Sequence, residues 1–349
     1  MLKFIARKFL YGLLVLLGVI VLVFFLFQGF GDATKMIAGQ SSDSTTQANI
    51  RKELHLDKPV LTQFIYYLND VSPICVHSKN DIETKKLKGF FIGGEKKFGL
   101  KIPYLRKSYQ SKRDVGSILM QALPGTLLLA LTAMLIATLL GIPLGVLAAV
   151  KQNTWWDTSA IFTSILGISA PSFFMGIVIA YLFGFVLSDW TGLNITGSWI
   201  TIDEITGEKT LALKNLILPA ITLGIRPMAI ITQLTRSAML DVLNQDYIRT
   251  AYAKGLTRQQ VIWKHGLRNA LNPVITAITG WFAELLAGAF FVEYIFGWQG
   301  IGKVTVDALE KLDFPVVMGS VLISACFFIL VNILADILYG WVDPRVRVS

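Results

Sequence analysis

Residues 246–276 read DYIRTAYAKGLTRQQVIWKHGLRNALNPVIT, a polar and basic stretch set between two apolar stretches long enough to cross a bilayer. A plain connector needs only a few turn residues. This one carries the pattern of two short helices around a glycine. Tyr247, Ala251 and Lys254 fall on one helical face, with Ile248 and Tyr252 beside it. Gly255 stands where the residue past a helix end needs a left-handed backbone. Thr257-Arg258-Gln259-Gln260 is a capping-box pattern that opens a second helix, which carries Val261, Ile262 and Trp263, then His265 and Arg268. The small Ala251 and Ala253 ahead of the glycine allow another backbone to come close. The pattern alone leaves open an amphipathic helix lying in the headgroups. It also matches the helix-turn-helix of DNA readers, but the flanking spans pin it to the membrane.

The composition agrees with a bilayer setting. Of 349 residues, 54% are hydrophobic and 16% charged, which is wrong for a soluble globule and right for a polytopic membrane protein. The net charge of +9 is not gathered on one face or in an aromatic-interleaved groove, so nucleic acid is not an expected partner. Six apolar stretches reach the length a spanning helix needs: about 9–27, 127–150, 161–187, 216–238, 271–292 and 316–341. The fourth is the weakest, since Arg226 and Pro227 interrupt it. The first is too long for a signal peptide, and no small-x-small cleavage pattern follows Gln28.

Six spans put both termini on one side. Lys3, Arg7, Lys8, Lys151, the basic residues of the 246–276 region with Arg236, and Arg345 and Arg347 of the tail share that side. The opposite short loops hold only Lys209, Lys214, Lys303 and Lys311, so the basic side is expected to be cytoplasmic. Residues 31–113 then form a small extracytoplasmic region. It is Lys-rich despite that position, because long loops translocate largely regardless of charge. Leu54, Leu61, Ile65 and Leu68 suit an amphipathic helix there, and Gly93-Gly94 suits a hairpin. Cys75 lies in a polar segment and Cys326 in an apolar one, so no mutual disulfide is expected and no metal-ligand spacing is present.

Residues 249–255, RTAYAKG, resemble the coupling motif of bacterial ABC importer permeases, in which a small-residue pair precedes a glycine in a cytoplasmic loop. The longer run DYIRTAYAKGL followed by HGLRNALNPVIT is similar to the dipeptide/oligopeptide/nickel branch. LHLDKPV (54–60), SAPSFFMG (169–176), LNITGSW (193–199), LPAITLG (218–224), LTRSAMLDVLNQDY (234–247), FVEYIFGWQGIG (291–302) and YGWVDPR (339–345) extend the resemblance over most of the chain except about 72–112. Departures are Tyr252, Asn272 and the Lys-rich insert.

The resemblance implies an all-α membrane protein with a type I importer bundle of six transmembrane helices. Residues 1–30 would form the cytoplasmic tail and first span, 31–113 the extracytoplasmic insert, 114–343 the transmembrane domain with its coupling loop at about 239–270, and 344–349 a cytoplasmic tail. It implies a second homologous permease subunit, two ABC ATPase subunits and an extracytoplasmic substrate-binding protein, in the inner membrane. Each coupling loop would sit in a groove on an ATPase, with Tyr247, Arg249, Ala251, Ala253, Lys254, Gly255, His265 and Arg268 at that interface. This chain would bind no cofactor, ATP and Mg being used by the partner. The sequence has no G-x-x-x-x-G-K-[ST] run to cradle ATP. Di- or oligopeptides are the implied substrate, with nickel or another small solute left open.

Intramembrane ionisable residues are costly and usually face a bundle interior or a water-filled path. Glu284 is a candidate for lining the route, or makes a structural hydrogen bond. Pro171 is expected to kink the third span and open a cavity, or to kink it passively. Asp336 and Asn332 read as structural. Phe296-Gly297-Trp298-Gln299-Gly300 reads as an external re-entrant turn, either a gate or an interfacial aromatic anchor. A membrane-embedded hydrolase is disfavoured, because His55, His77 and His265 all lie in polar segments. A secondary transporter working alone would need more buried carboxylates and commonly shows repeated halves.

Overall fold

The computed structural model describes residues 2–28, 57–202 and 207–342. In chain order its elements are α1 (Leu2–Gln28), α2 (Val60–Val71), β1 (Ile74–Ser78), α3 (Lys79–Lys85), β2 (Gly89–Ile92), β3 (Lys96–Lys101), α4 (Val115–Val150), α5 (Trp155–Ser169) and α6 (Ser172–Tyr181). They continue with α7 (Ser188–Thr191), β4 (Ile200–Ile202), β5 (Lys209–Leu211), α8 (Ile217–Leu243), α9 (Asp246–Ala253), α10 (Arg258–Gln260), α11 (Arg268–Gly288), α12 (Phe290–Ile295), α13 (Ile301–Glu310) and α14 (Phe314–Val342).

Among the described residues, four helices are long and apolar enough to cross a membrane: 6–28, 115–150, 213–243 and 314–337. A fifth span results if α5 and the helical run 172–186 count as one, although they meet at 108°. Pro171 is the cause. It has no N–H to continue a helix and drives its predecessor out of the α region. Ala170 is extended at ψ 129°, and Pro171 becomes the N-cap of α6. The expected kink is therefore a break between two helices. The stretch 271–292 forms α11, which ends at Gly288, and α12 starts at Phe290. With Asn272, Thr276, Thr279 and Glu284 along it, α11 does not join the apolar spans.

The chain divides into two compact units. The larger comprises residues 1–9, 122–303 and 326–349. Its core draws on Leu129, Ala133, Ala137, Leu223, Ile231, Leu286 and Val292. Within it α4 and α8 meet backbone to backbone. A Cβ on Gly145 would stand 2.6 Å from the Thr232 carbonyl oxygen, one on Gly141 3.0 Å from that of Met228, and one on Gly224 2.8 Å from that of Ala133. Gly141 and Gly145 are four apart, the spacing by which membrane helices approach closely without side chains between them. Lys8 and Asp336 pair at 2.7 Å, bringing the start of α1 beside the end of α14. Asn332 donates to the Phe328 carbonyl of its own helix, in keeping with a structural role.

The segment from Phe291 to Lys303 folds around one buried carboxylate. Glu293 is fully buried. It accepts from the Thr126 hydroxyl at 2.7 Å and from the backbone N–H of Lys303 at 3.2 Å, and the N–H of Gly302 also points to it. The Thr126 hydroxyl oxygen in turn accepts from the N–H of Ile301 at 2.8 Å. Trp298 and Phe296 are buried, and the Trp298 indole donates to the Gly125 carbonyl at 2.9 Å. These aromatics are thus packing groups, which removes the reading of this turn as an interfacial anchor. A Cβ on Gly300 would lie 2.3 Å from the Glu293 carboxylate.

The smaller unit comprises residues 10–121 and 304–325. Phe64, Tyr67, Leu68 and Val71 of α2, spaced as one helical stripe, pack on Leu16, Val19, Ile20 and Phe24 of α1 with Met318 and Leu322 of α14. The amphipathic helix is present, but its buried stripe is rotated from the expected one. Leu61 and Ile65 are exposed, and Leu54 lies outside the described residues. The aromatics Phe64 and Tyr67 fill the contact with Phe24 instead. The hairpin expected at Gly93-Gly94 joins β2 to β3, with Gly93 at φ +125°. The antiparallel sheet runs β1-β3-β2, and β1 was not anticipated. Buried Asp70 ties the sheet region to α2 through Lys85 at 2.5 Å and Arg106 at 3.5 Å.

Two outcomes follow from this packing. Gly145→Leu should overpack the α4–α8 contact and destabilise by about 1–3 kcal/mol. Gly18→Leu, inside α1 where a Cβ meets nothing within 4 Å, should not lower the melting temperature of the detergent-solubilised protein. Glu293→Ala should cost about 1–3 kcal/mol for each buried donor it strands. Glu293→Gln, which keeps one acceptor oxygen, should lie between it and the parent in the same thermal scan.

Candidate coupling site

The predicted elbow is present, and each of its turns has a local cause. Helix α9 ends on Lys254, and Gly255 follows at φ +82°. The Gly255 N–H donates to the Tyr252 carbonyl at 2.9 Å and the Leu256 N–H to that of Ala251 at 3.3 Å. That pair of bonds is a Schellman motif, and the left-handed residue within it favours glycine. The next helix opens with the expected capping box. The Gln260 N–H reaches the Thr257 hydroxyl, and the Gln260 side chain accepts from the Thr257 N–H at 3.0 Å.

The second helix is not a short separate element. From Arg258 it continues through a π-helical segment, Val261–Leu267, and runs without a break into α11. The elbow's second arm is thus the start of a continuous 31-residue helical stretch, from Arg258 to Gly288, with Pro273 inside it.

Beneath the turn, Ile248, Ala251 and Val261 are buried together, with Val242 and Leu256 against them. Ile262 packs with Met239, Val146, Ala149 and Ala270, seating the π-helical segment on the ends of α8 and α4. A Cβ on Gly266 would lie 3.3 Å from the Met239 methyl. The Tyr247 hydroxyl accepts from the Asn269 side chain at 2.8 Å, so α9 is also fastened to the start of α11.

The site residues expected from sequence divide accordingly. Arg249, Ala253, Lys254, Gly255 and Arg268 are exposed, as are Tyr247 and Tyr252. Ala251 is buried in the chain's own cluster, so its small size serves the elbow itself. His265 is half-buried within the π-helical turn, and its backbone carbonyl accepts from Asn269 at 3.2 Å. Arg249 stands 3.6 Å from Asp246, with both side chains open to solvent, a pair too exposed to hold anything. Pro171 and Glu284 are both exposed, at the N-cap of α6 and on α11 respectively. No hydrogen bond or ion pair joins them to the elbow among the described residues.

Sequence reasoning missed two features. Arg236 was counted only as a topological charge. It makes a two-pronged ion pair with buried Asp157, at 2.5 and 2.8 Å, tying α5 to α8 two turns before the elbow. The Asn153 N–H also donates to Asp157 at 3.0 Å. An Asp at the first turn of one helix and an Arg far along another carry no local pattern, so only three-dimensional pairing reveals them. The second is Glu293. The run GWQGIGKV, residues 297–304, has the glycine-lysine spacing of a phosphate loop but Val304 where the hydroxyl residue belongs. Its backbone N–H groups hold the chain's own carboxylate.

Comparison with known proteins identifies the family of the chain. Residues 141–348 match the family described as "Binding-protein-dependent transport system inner membrane component", and residues 1–130 match its N-terminal companion. The chain is 38% identical over 367 residues to the dipeptide transport system permease protein DppB of Escherichia coli (strain K12), covering 99% of each. It is 36% identical over 366 residues to the di/tripeptide transport system permease protein DppB of Pseudomonas aeruginosa (strain UCBPP-PA14), again with 99% of each covered. With the glutathione transport system permease protein GsiC of Salmonella choleraesuis (strain SC-B67) it shares 33% identity over 349 residues and 99% of each chain. Among solved structures, the inward-facing MetNI methionine ABC transporter aligns with a TM-score of 0.50 at 16% identity, over 65% of this chain and 97% of that one. The chain belongs to the family of binding-protein-dependent transport system inner membrane components.

Proposed function

We propose that this chain is a permease subunit of an ATP-driven importer of di- or oligopeptides, and that the elbow at residues 246–268 receives the stroke of a separate ATPase. The observation that carries the reading is mechanical. The exposed corner formed by Arg249, Ala253, Lys254 and Gly255 is stiffened by a Schellman motif and a capping box, and it is continuous with α11. A push on that corner reaches α11 directly, because the backbone stays helical from Arg258 to Gly288 with no loop between. The names of the relatives favour peptides over nickel.

In this reading six segments cross the inner membrane, the sixth being α11 with α12, and the termini are cytoplasmic together with the elbow. The Lys8–Asp336 pair supports the termini sharing one side, and the short-loop charge bias supports that side being cytoplasmic. A second permease subunit, two ATPases and an extracytoplasmic binding protein complete the assembly. ATP and Mg are used by the ATPase. Glu284 on α11 faces outward from the isolated chain and is assigned to the translocation path, with the Pro171 break at its margin.

The test is peptide uptake and ATP hydrolysis in proteoliposomes holding the complete assembly. At Gly255 a Cβ meets nothing within 4 Å, so a substitution acts through backbone strain and not through a clash. Gly255→Val in a left-handed conformation costs about 1–2 kcal/mol, which should distort the corner and lower uptake per ATP hydrolysed while hydrolysis persists. Gly255→Asn, which tolerates that conformation, should transport nearly normally. Unchanged uptake by the valine variant would remove the elbow's role. Uptake on an ion gradient without the ATPase would remove the motor-dependent reading.

A further inference from the structure

The three-stranded sheet of the smaller unit turns one face to α2 and, among the described residues, leaves the other uncovered. Strand β1 alternates, burying Cys75 and His77 and exposing Ile74 and Val76. Asn69 of α2 caps the outer edge of β1 by bonding both the N–H and the C=O of Val76. Register then decides what the open side carries. Ile74 and Phe90 both stand opposite Leu100, and Val76 and Ile92 both stand opposite Phe98. Paired residues share a face, so the open side bears two rows of three large apolar side chains. Each is between 50% and 71% exposed. Lys88 and Lys96 are exposed and share that face by the same alternation, one beyond each row.

The covered side is braced against a membrane span. Helix α2 packs through Phe64, Tyr67, Leu68 and Val71 onto Leu16, Val19, Ile20 and Phe24 of α1. Those residues occupy the middle and C-terminal half of a helix long and apolar enough to cross a bilayer. The α2 helix therefore lies alongside that candidate span. Its own outward residues, Leu61 and Ile65, are apolar and exposed, as are Leu14, Leu17, Val21 and Leu22 of α1. The open sheet face continues that apolar exterior after a two-residue link, Ser72-Pro73.

We propose that this sheet face is a lipid-binding surface: it lies at the acyl–headgroup boundary of the leaflet surrounding the C-terminal half of α1, with Lys88 and Lys96 at the lipid phosphates. A face with six large apolar groups, no carboxylate and lysines at its ends matches an interfacial element, whose long basic side chains reach up to the headgroups. A protein partner that comes and goes fits less well. Such interfaces are on average no more apolar than ordinary surface, and a patch of this kind left in water between encounters invites aggregation.

The test uses the complete assembly in nanodiscs of phosphatidylethanolamine and phosphatidylglycerol. Nitroxides are placed by Phe98→Cys and, separately, Ile92→Cys in a Cys326→Ser background, with Leu14→Cys as the lipid reference and Glu83→Cys as the aqueous one. Retained ATP hydrolysis identifies assemblies that are folded. Collision with oxygen should exceed collision with a water-soluble nickel chelate several-fold at both sheet positions, as at Leu14. Water-like values at both positions would overturn the proposal. So would water-like values that fall only when the binding protein is added, which would assign the face to that protein.

Discussion

Helix α8 is the member on which the larger unit depends, and what makes it so is the absence of side chains where it meets α4. Lipid tails are as apolar as leucine, so the hydrophobic effect does not drive helices together in a bilayer, and van der Waals contact must do so. Gly141, Gly145 and Gly224 allow that contact at backbone distance. Everything further along α8 inherits its position. Arg236 projects to Asp157 and fastens α5, and Met239 lies under the π-helical segment at Gly266. The elbow is seated on a helix whose own placement is fixed several turns earlier by carbonyl oxygens.

The elbow is bonded within the chain on its inner side and open to solvent on its outer side. Its inner residues are committed within the chain: Ile248, Ala251 and Val261 to one another, Tyr247 to Asn269. Its outer residues make almost no internal bonds. The π-helical segment accommodates one extra residue per turn and lets Val261 and Ile262 both reach buried positions, at the hydrogen-bonding cost such turns carry. The corner and α11 are thereby joined by continuous helix, with the π-helical segment and Pro273 between them.

What was legible in the sequence is what depends on local chemistry. The left-handed Gly255, the Thr257 capping box and the Gly93 hairpin were readable because each rests on one residue's backbone freedom or on two side chains three apart. The apolar spans 9–27, 127–150 and 316–341 were readable from length alone, and all three helices extend beyond them. The phase of α2 was not, because periodicity does not say which of two adjacent stripes meets a partner. Phe64 and Tyr67 won over Leu61 and Ile65 through ring contacts with Phe24, which lies more than thirty-five residues away. The 108° break was anticipated in place but not in degree, since Pro171 dictates only that the helix stop. Asp157–Arg236 and the Glu293 cluster join residues 79 and 167 positions apart and had no local signature.

The Glu293 cluster also bears on where nucleotide chemistry can reside. A run of backbone N–H groups opening a helix is an anion site wherever it occurs, and it accepts phosphate or carboxylate by the same electrostatics. In GWQGIGKV the anion is built in. Glu293 takes the N–H groups of Gly302 and Lys303, and the closeness of Gly300 and Gly302 to that carboxylate leaves no volume for a second anion. The glycines that would suit a phosphate loop instead let the chain fold over its own acid, with buried Trp298 donating to Gly125 at the far side. A loop so filled is a structural rivet, closing the Phe291–Lys303 segment onto Thr126 and Gly125.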